Sequence, residues 1–200
     1  MQNIKFGTDG WRALMDTDFT FENVELVAQA FADYMNAEQK KKGKSAAPRI
    51  AIGFDYRKNS ENFAKTVADV LTANGLDVLL SSAACPTPAV SYAIVRDKLD
   101  SGIMITASHN PPGYNGIKIK NDFGGSAEKT ITDEVERSIG KNPVLKKGPG
   151  KGSQKLVNLH DAYLEYLKSY IRLDAIKNSP YRILVDSMHG VGARNIEDIT

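Results

Sequence analysis

Three short apolar runs, at 49–54, 76–80 and 102–106, alternate with longer stretches whose apolar residues recur every three or four positions. Predominantly apolar runs of this length read as buried strands, and the periodicity between them reads as amphipathic helix. Such a chain buries both kinds of element by stacking helices on the two faces of a sheet. The helix-end signals agree. Thr20 is placed to cap a helix with Glu22 in its first turn and Val24, Val27, Ala28, Phe31 and Met35 on one face. Ser60 is expected to cap a second, with Phe63, Val67, Val70 and Leu71 inward and Gly75 just past its end. Thr87 and Pro88 open a third that runs to about Lys98, and a fourth spans about 127–139.

A further strand, at 117–120, follows the 102–106 strand after a loop too short for a parallel crossover. One antiparallel pair is therefore expected. The fold class is α/β: a three-layer α/β/α sandwich with a mixed, mostly parallel sheet.

The stretch 140–155, rich in Gly, Pro, Lys and Ser, has the composition of a linker or exposed loop. A helix rich in Tyr and Leu follows, over about 159–176. Residues 181–186 then read as a strand running into Ser187-Met188-His189-Gly190-Val191-Gly192. One strand and half a helix cannot bury their own apolar faces. The expected organisation is a first domain over 1–155, then a linker helix and the beginning of a truncated second domain over 156–200. On this reading the chain is an N-terminal fragment of a longer protein.

At 42% hydrophobic and 25% charged, with a formal net charge of +2, the chain has no global electrostatic pull toward nucleic acid. Its basic runs, at 40–44 and 146–155, carry no interleaved aromatics and read as solvated loops. No apolar run approaches membrane-spanning length, and the N-terminus has no signal-peptide pattern, so the expected location is cytoplasmic, with no membrane partner. The single cysteine, Cys85, leaves no internal disulfide and reads as a small buried residue.

The chemistry concentrates in Thr106-Ala107-Ser108-His109-Asn110-Pro111-Pro112-Gly113-Tyr114-Asn115-Gly116-Ile117-Lys118. A strand delivers Ser108 into a polar loop, so the strand aims the hydroxyl and the loop leaves it open to a ligand. A free hydroxyl is a weak nucleophile that needs a base, a metal or a positioning frame. His109 adjoins it, and neighbours on an extended strand point to opposite faces, so His109 is badly placed to take the Ser108 proton. No G-x-S-x-G elbow surrounds the serine either. Phosphoryl transfer asks for positive charge around the phosphoryl oxygens. Lys118 and Lys120 share one face of their strand, Ile117 and Ile119 face the core, and the chain reversal carries Lys118 back toward Ser108. Lys118 is suited to neutralising phosphate charge or exchanging a proton with a substrate hydroxyl. In Phe6-Gly7-Thr8-Asp9-Gly10-Trp11-Arg12, a tight polar turn presents an arginine that can clamp a phosphate with two hydrogen bonds.

These segments closely resemble the α-D-phosphohexomutases, the phosphoglucomutase/phosphomannomutase family. Residues 106–118 resemble its phosphoserine loop, and 6–12 its N-terminal Gly-Thr-(Ser/Asp)-Gly-x-Arg segment. Gly53-Phe54-Asp55-Tyr56-Arg57-Lys58-Asn59-Ser60 is similar to its Gly-x-Asp-x-Arg-x-Ser-Ser segment, with Asn59 in place of the first serine, and Cys85-Pro86-Thr87-Pro88 to its Pro-Thr-Pro segment. The resemblance implies that Ser108 carries a phosphoryl group and is a metal ligand. It places Ser108, Lys118 and His109 in the catalytic set, and Arg12 and Lys118 in substrate binding. Asp55 and Arg57 read as a structural pair supporting the site.

For a whole protein the resemblance implies interconversion of hexose 1-phosphate and 6-phosphate through a bisphosphorylated sugar, with hexose 1,6-bisphosphate as activator. It also implies one Mg²⁺ held by the serine phosphate and by aspartates of an Asp-Gly-Asp-x-Asp-Arg loop that this chain lacks. The 200-residue chain alone is therefore expected to show no useful turnover. The expected partner is a phosphosugar, with no nucleic acid. Two alternatives stay open: a phosphoglucosamine or phosphopentose mutase, and a non-catalytic phosphosugar-binding relative. Retention of Ser108, Lys118 and Arg12 speaks against the latter.

Overall fold

The computed structural model describes residues 4–7, 10–146, 152–192 and 195–199. Its elements are β1 (Trp11–Leu14), α1 (Phe21–Lys41), β2 (Arg49–Phe54), α2 (Ser60–Ala73), β3 (Asp77–Ser81), α3 (Thr87–Asp97), β4 (Ser101–Ile105), β5 (Tyr114–Lys120), α4 (Lys129–Ser138), β6 (Gln154–Val157), α5 (Leu159–Tyr170), α6 (Leu173–Lys177) and α7 (Asn195–Ile199). The strands form one sheet in the order β1-β5-β4-β2-β3-β6. β4, β2, β3 and β6 run parallel, and β5 is antiparallel to both β4 and β1. The sheet is mixed as expected, yet it has two antiparallel pairs instead of one. The second arises because the residues after the Gly7–Gly10 turn extend as an edge strand beside β5.

Burial fixes the layers. Phe31 of α1, Phe63 and Leu71 of α2 and Val135 of α4 pack with Ile52, Ile103, Ile105 and Ile117 of the sheet. Val90 and Ile94 of α3 and Leu159 of α5 pack with Met104 on the opposite face. The result is the expected α/β/α sandwich. β1 is pinned by Trp11, whose ring lies 4.7 Å from that of Phe19, itself 4.8 Å and edge-on to Phe63.

Several helix ends follow local chemistry. The Thr20 hydroxyl accepts the Asn23 amide at 3.3 Å. Gly75 takes φ +86°, and the Gly75 and Leu76 amides close onto Thr72 and Leu71 carbonyls. Ser60 differs from expectation: it is the first residue of α2 rather than its cap, Asn59 stands in the cap position at φ +61°, and the Ser60 hydroxyl turns inward to Asp55. Likewise Pro86, one residue earlier than Thr87, occupies the cap position of α3.

The C-terminal third departs further from the sequence reading. The end of the stretch read as a linker forms β6, parallel to β3, so the sheet crosses residue 155. The helix expected over 159–176 breaks at Ile171 into α5 and α6. The expected strand at 181–186 does not form. Tyr181, Ile183 and Leu184 are exposed, Leu184 to 95%. An apolar run becomes a strand only where a neighbour accepts its ladder of hydrogen bonds, and none lies alongside among the described residues.

In the basic runs, Lys41 pairs with Glu38 at 2.8 Å, Lys44 with Asp100 at 3.2 Å and Lys146 with Glu25 at 2.6 Å, while residues 147–151 lie outside the described residues. Among the described residues, no helix is long and apolar enough to cross a membrane. Cys85 is fully buried, and burial pushes its thiol up to about 11.

Candidate functional site

The C-terminal ends of β2, β3 and β4 point to one edge of the sheet, where strand-to-helix loops of an α/β fold gather. There the loops enclose an open cleft of about 710 Å³. Its lining includes Asp55 and Arg57 after β2, Thr87 at the start of α3, Ser108 and His109 after β4, and His189 from the C-terminal segment. Ser108 is exposed at this edge with φ +58°, in the left-handed region that non-glycine residues avoid. His109 is exposed beside it.

The loop is built by its own turns and by one half-buried ion pair, Asp55–Arg57. The Asn110 amide donates to the Ala107 carbonyl at 3.1 Å, and the Tyr114 amide to the Pro111 carbonyl at 3.0 Å. The Met15 amide reaches the Gly113 carbonyl at 2.8 Å, tying the loop to the end of β1. Thr106 lies between Asp55 and the serine: its hydroxyl donates to Asp55 Oδ2 at 2.6 Å and accepts the Ser108 amide at 2.9 Å. Asp55 Oδ1 accepts the Arg57 amide at 3.0 Å and the Ser60 hydroxyl at 2.8 Å. The Arg57 guanidinium, 3.5 Å from Asp55, donates to the carbonyls of Ser108, Pro111 and Tyr114 at 2.8, 2.9 and 3.0 Å, and to that of Asn110.

Register places the cations. Lys118 lies opposite Met104 and Lys120 opposite Gly102, so both share the α3 face of the sheet, while Ile117 and Ile119 face the other layer. Lys118 is 7% exposed and Lys120 8%, so neither is the solvated strand lysine that alternation alone allows. Arg12 lies opposite Gly116 on that same face, and its Nη1 stands 3.4 Å from Asn110 Oδ1. Arg12 thus meets the serine loop directly. Lys118 approaches through the strand, outside the set of side chains that line the cleft. Thr8 and Asp9, the tip of the arginine turn, lie outside the described residues.

The sequence reading missed two parts of this frame. One is the Thr106 hydroxyl. The other is Asn115, fully buried, whose side chain donates to the Ser60 hydroxyl at 2.9 Å and accepts the Gly116 amide at 2.8 Å. Their polarity amid apolar strand residues was the one available signal. Among the described residues, no group of three or more His, Cys, Asp or Glu gathers as a metal site, and Asp55 is committed to Thr106, Ser60 and Arg57.

A family model described as phosphoglucomutase/phosphomannomutase, alpha/beta/alpha domain I, matches residues 3–144. The chain is 33% identical over 191 residues to a phosphoglucosamine mutase of an Arthrobacter species, covering 94% of this chain and 40% of that protein. It is 28% identical over 206 residues to a phosphoglucomutase of Staphylococcus epidermidis, covering 98% of this chain and 37% of that protein. A crystal structure assigned to a phosphomannomutase of Thermus thermophilus superposes with a TM-score of 0.86 at 30% identity, covering 100% of this chain and 43% of that one. The chain spans about 40% of the length of the curated relatives it matches. Because the family match runs from β1 through α4, across every element that builds the serine loop, the chain belongs to the phosphoglucomutase/phosphomannomutase family.

Proposed function

We propose that this chain supplies the phosphoryl-carrying serine of a phosphohexomutase that interconverts hexose 1-phosphate and 6-phosphate. The observation that carries the reading is Ser108 itself. It is exposed in a cleft, held at φ +58°, with the Arg12 side chain reaching its loop. A left-handed non-glycine residue at a cleft edge is a strained position of the kind that collects at functional sites.

In the forward step the phosphorus–oxygen bond to Ser108 Oγ breaks, and a new one forms to a free hydroxyl of the sugar monophosphate. The hydroxyl proton passes to a nearby base, for which His109 and Lys118 are the candidates. The resulting bisphosphate turns over, and its other phosphate returns to Ser108. Arg12 and Lys118 counter charge on the phosphoryl oxygens. Mg²⁺ would supply Lewis-acid stabilisation with the Ser108 phosphate as one ligand and carboxylates from outside the described residues. Hexose 1,6-bisphosphate would prime the serine.

The relatives named above are described as phosphoglucosamine mutase, phosphoglucomutase and phosphomannomutase, which supports a hexose phosphate as the sugar class here. The recurrence of phosphoglucosamine mutases among the curated relatives favours an amino sugar as the second reading. The test is intact-mass analysis after incubation with glucose 1,6-bisphosphate or glucosamine 1,6-bisphosphate. A single phosphate that maps to Ser108 and is lost in Ser108→Ala is expected. Phosphate that never appears on Ser108 of the full-length protein incubated with either bisphosphate sinks the reading.

A further inference from the structure

We propose that Arg57 is a positioning residue for Ser108: its guanidinium holds the serine carbonyl, its partner Asp55 orients the Thr106 hydroxyl that holds the serine N–H, and together they set where the Ser108 hydroxyl stands. The consequence for phosphoryl transfer rests on the mutase reading above; the positioning itself does not.

Ser108 adopts φ +58°, which L-residues other than glycine avoid because Cβ crowds the backbone. Such a conformation persists where the surroundings over-determine it. Here both amide groups of Ser108 are gripped. Its N–H donates to the Thr106 hydroxyl at 2.9 Å, and that hydroxyl is oriented by its own bond to Asp55 at 2.6 Å. Its C=O accepts from Arg57 Nη2 at 2.8 Å. The two grips share one ion pair, Asp55–Arg57, whose side chains are 13% and 14% exposed. The Asp55 carboxylate is fixed in turn by the Arg57 amide and the Ser60 hydroxyl.

Arg57 also spans the loop. Besides Ser108 it holds the carbonyls of Asn110, Pro111 and Tyr114, so its planar fork ties the start of the turn to its return. A lysine carries the same charge on a single compact ammonium and cannot reproduce that fork. The guanidinium is spent on carbonyl oxygens, which separates its role from that of Arg12, whose side chain reaches the Asn110 side-chain oxygen.

The test is NMR on this chain as wild type, Arg57→Lys, Arg57→Ala and Thr106→Val. In both Arg57 variants the Ser108 Cα and Cβ shifts are expected to leave their left-handed values, and its amide to exchange about tenfold faster, with changes confined to 106–114. Guanidinium ion added to Arg57→Ala should restore the wild-type signals. Thr106→Val, which frees the Ser108 N–H and one Asp55 oxygen but keeps the Arg57 contacts, should give the same Ser108 response, and an unchanged Ser108 there overturns the proposal if the Arg57 variants do not fold. Where the protein takes up phosphate from hexose 1,6-bisphosphate, Arg57→Lys should slow that step by about 100-fold while leaving bisphosphate affinity within a few-fold.

Ser108 signals unchanged in the folded variants overturn the proposal. So do changes spread over the whole sheet with a matching fall in melting temperature, which mark a general structural role. A loop that responds as expected, in a full-length protein that never takes up phosphate on Ser108, overturns the mutase reading and leaves the positioning role standing.

Discussion

The side chain of Arg12 crosses the sheet over Gly116, with its Cγ 2.9 Å from where a Cβ on that glycine would stand. The same Cβ would lie 2.7 Å from the carbonyl oxygens of Trp11 and Thr106. The missing side chain therefore lets β1, β5 and β4 close up, and it clears the route by which Arg12 reaches Asn110. Gly116→Ala should destabilise the chain by about 2–3 kcal/mol, because backbone atoms cannot step aside as a flexible side chain would. Urea denaturation reads this directly. A midpoint equal to wild type would contradict the register of β1 on β5.

Ser108→Gly should leave the chain as stable as wild type or up to about 1 kcal/mol more so, because glycine adopts φ +58° without the crowding that serine endures. The same change removes the hydroxyl and with it all phosphate uptake at this position. Thermal melts and intact mass, measured side by side, check both halves. A clear loss of stability in Ser108→Gly would show that the serine side chain is itself part of the frame.

Asn115→Ala should cost about 2–4 kcal/mol. Asn115 is fully buried, and its loss leaves the Gly116 amide and the Ser60 hydroxyl each short of a partner, at about 1–3 kcal/mol per buried group. The chemical-denaturation midpoint is the measurement. A cost below about 0.5 kcal/mol would mean that the bonds are remade elsewhere.

Alkaline pH should weaken the fold in a defined window. Burial, reinforced by the carboxylates of Glu38, Glu134, Glu128 and Asp122, pushes the Tyr34 hydroxyl up to about 12. A tyrosine in the unfolded chain ionises near pH 10. The raised folded value favours the neutral form in the native state, so its stabilising contribution is whole below about pH 10 and is lost as pH climbs toward 12. Cys85, pushed up to about 11 by burial, acts in the same direction above the thiol's ordinary range. Tyr34→Phe should flatten the fall in melting temperature between pH 10 and 12, the upper bound being the Tyr34 value. An unchanged slope in Tyr34→Phe would sink this assignment. At neutral pH, Cys85 should react with a thiol reagent only as fast as the chain opens.

Much of the frame is legible in residue order. Apolar runs, the Thr20 cap and the Gly75 stop are local signals, and each keeps its meaning in the fold. The serine at the end of an apolar strand is also local, and so is the alternation that places Lys118 and Lys120 on one face of β5. The strand expected at 181–186 shows the limit of such signals. Its apolar pattern is as strong as that of β3, yet β3 lies between β2 and β6 while 181–186 has no neighbour to pair with among the described residues.

The sequence by itself determined helices α1 to α4 and strands β2 to β5 of the sandwich and which hydroxyl is held out of it, because periodicity, caps and turns act over a few residues. Only the tertiary structure decided what surrounds that hydroxyl. Arg57 and Ser108 are 51 residues apart, Arg12 and Asn110 are 98 apart, and both contacts exist because the sheet order sets β5 beside β1 and β4 beside β2. Burial of Lys118 and recruitment of 154–157 as an edge strand have the same origin. Pairing between distant strands is settled by which apolar faces can be covered at once, and that choice belongs to the whole chain.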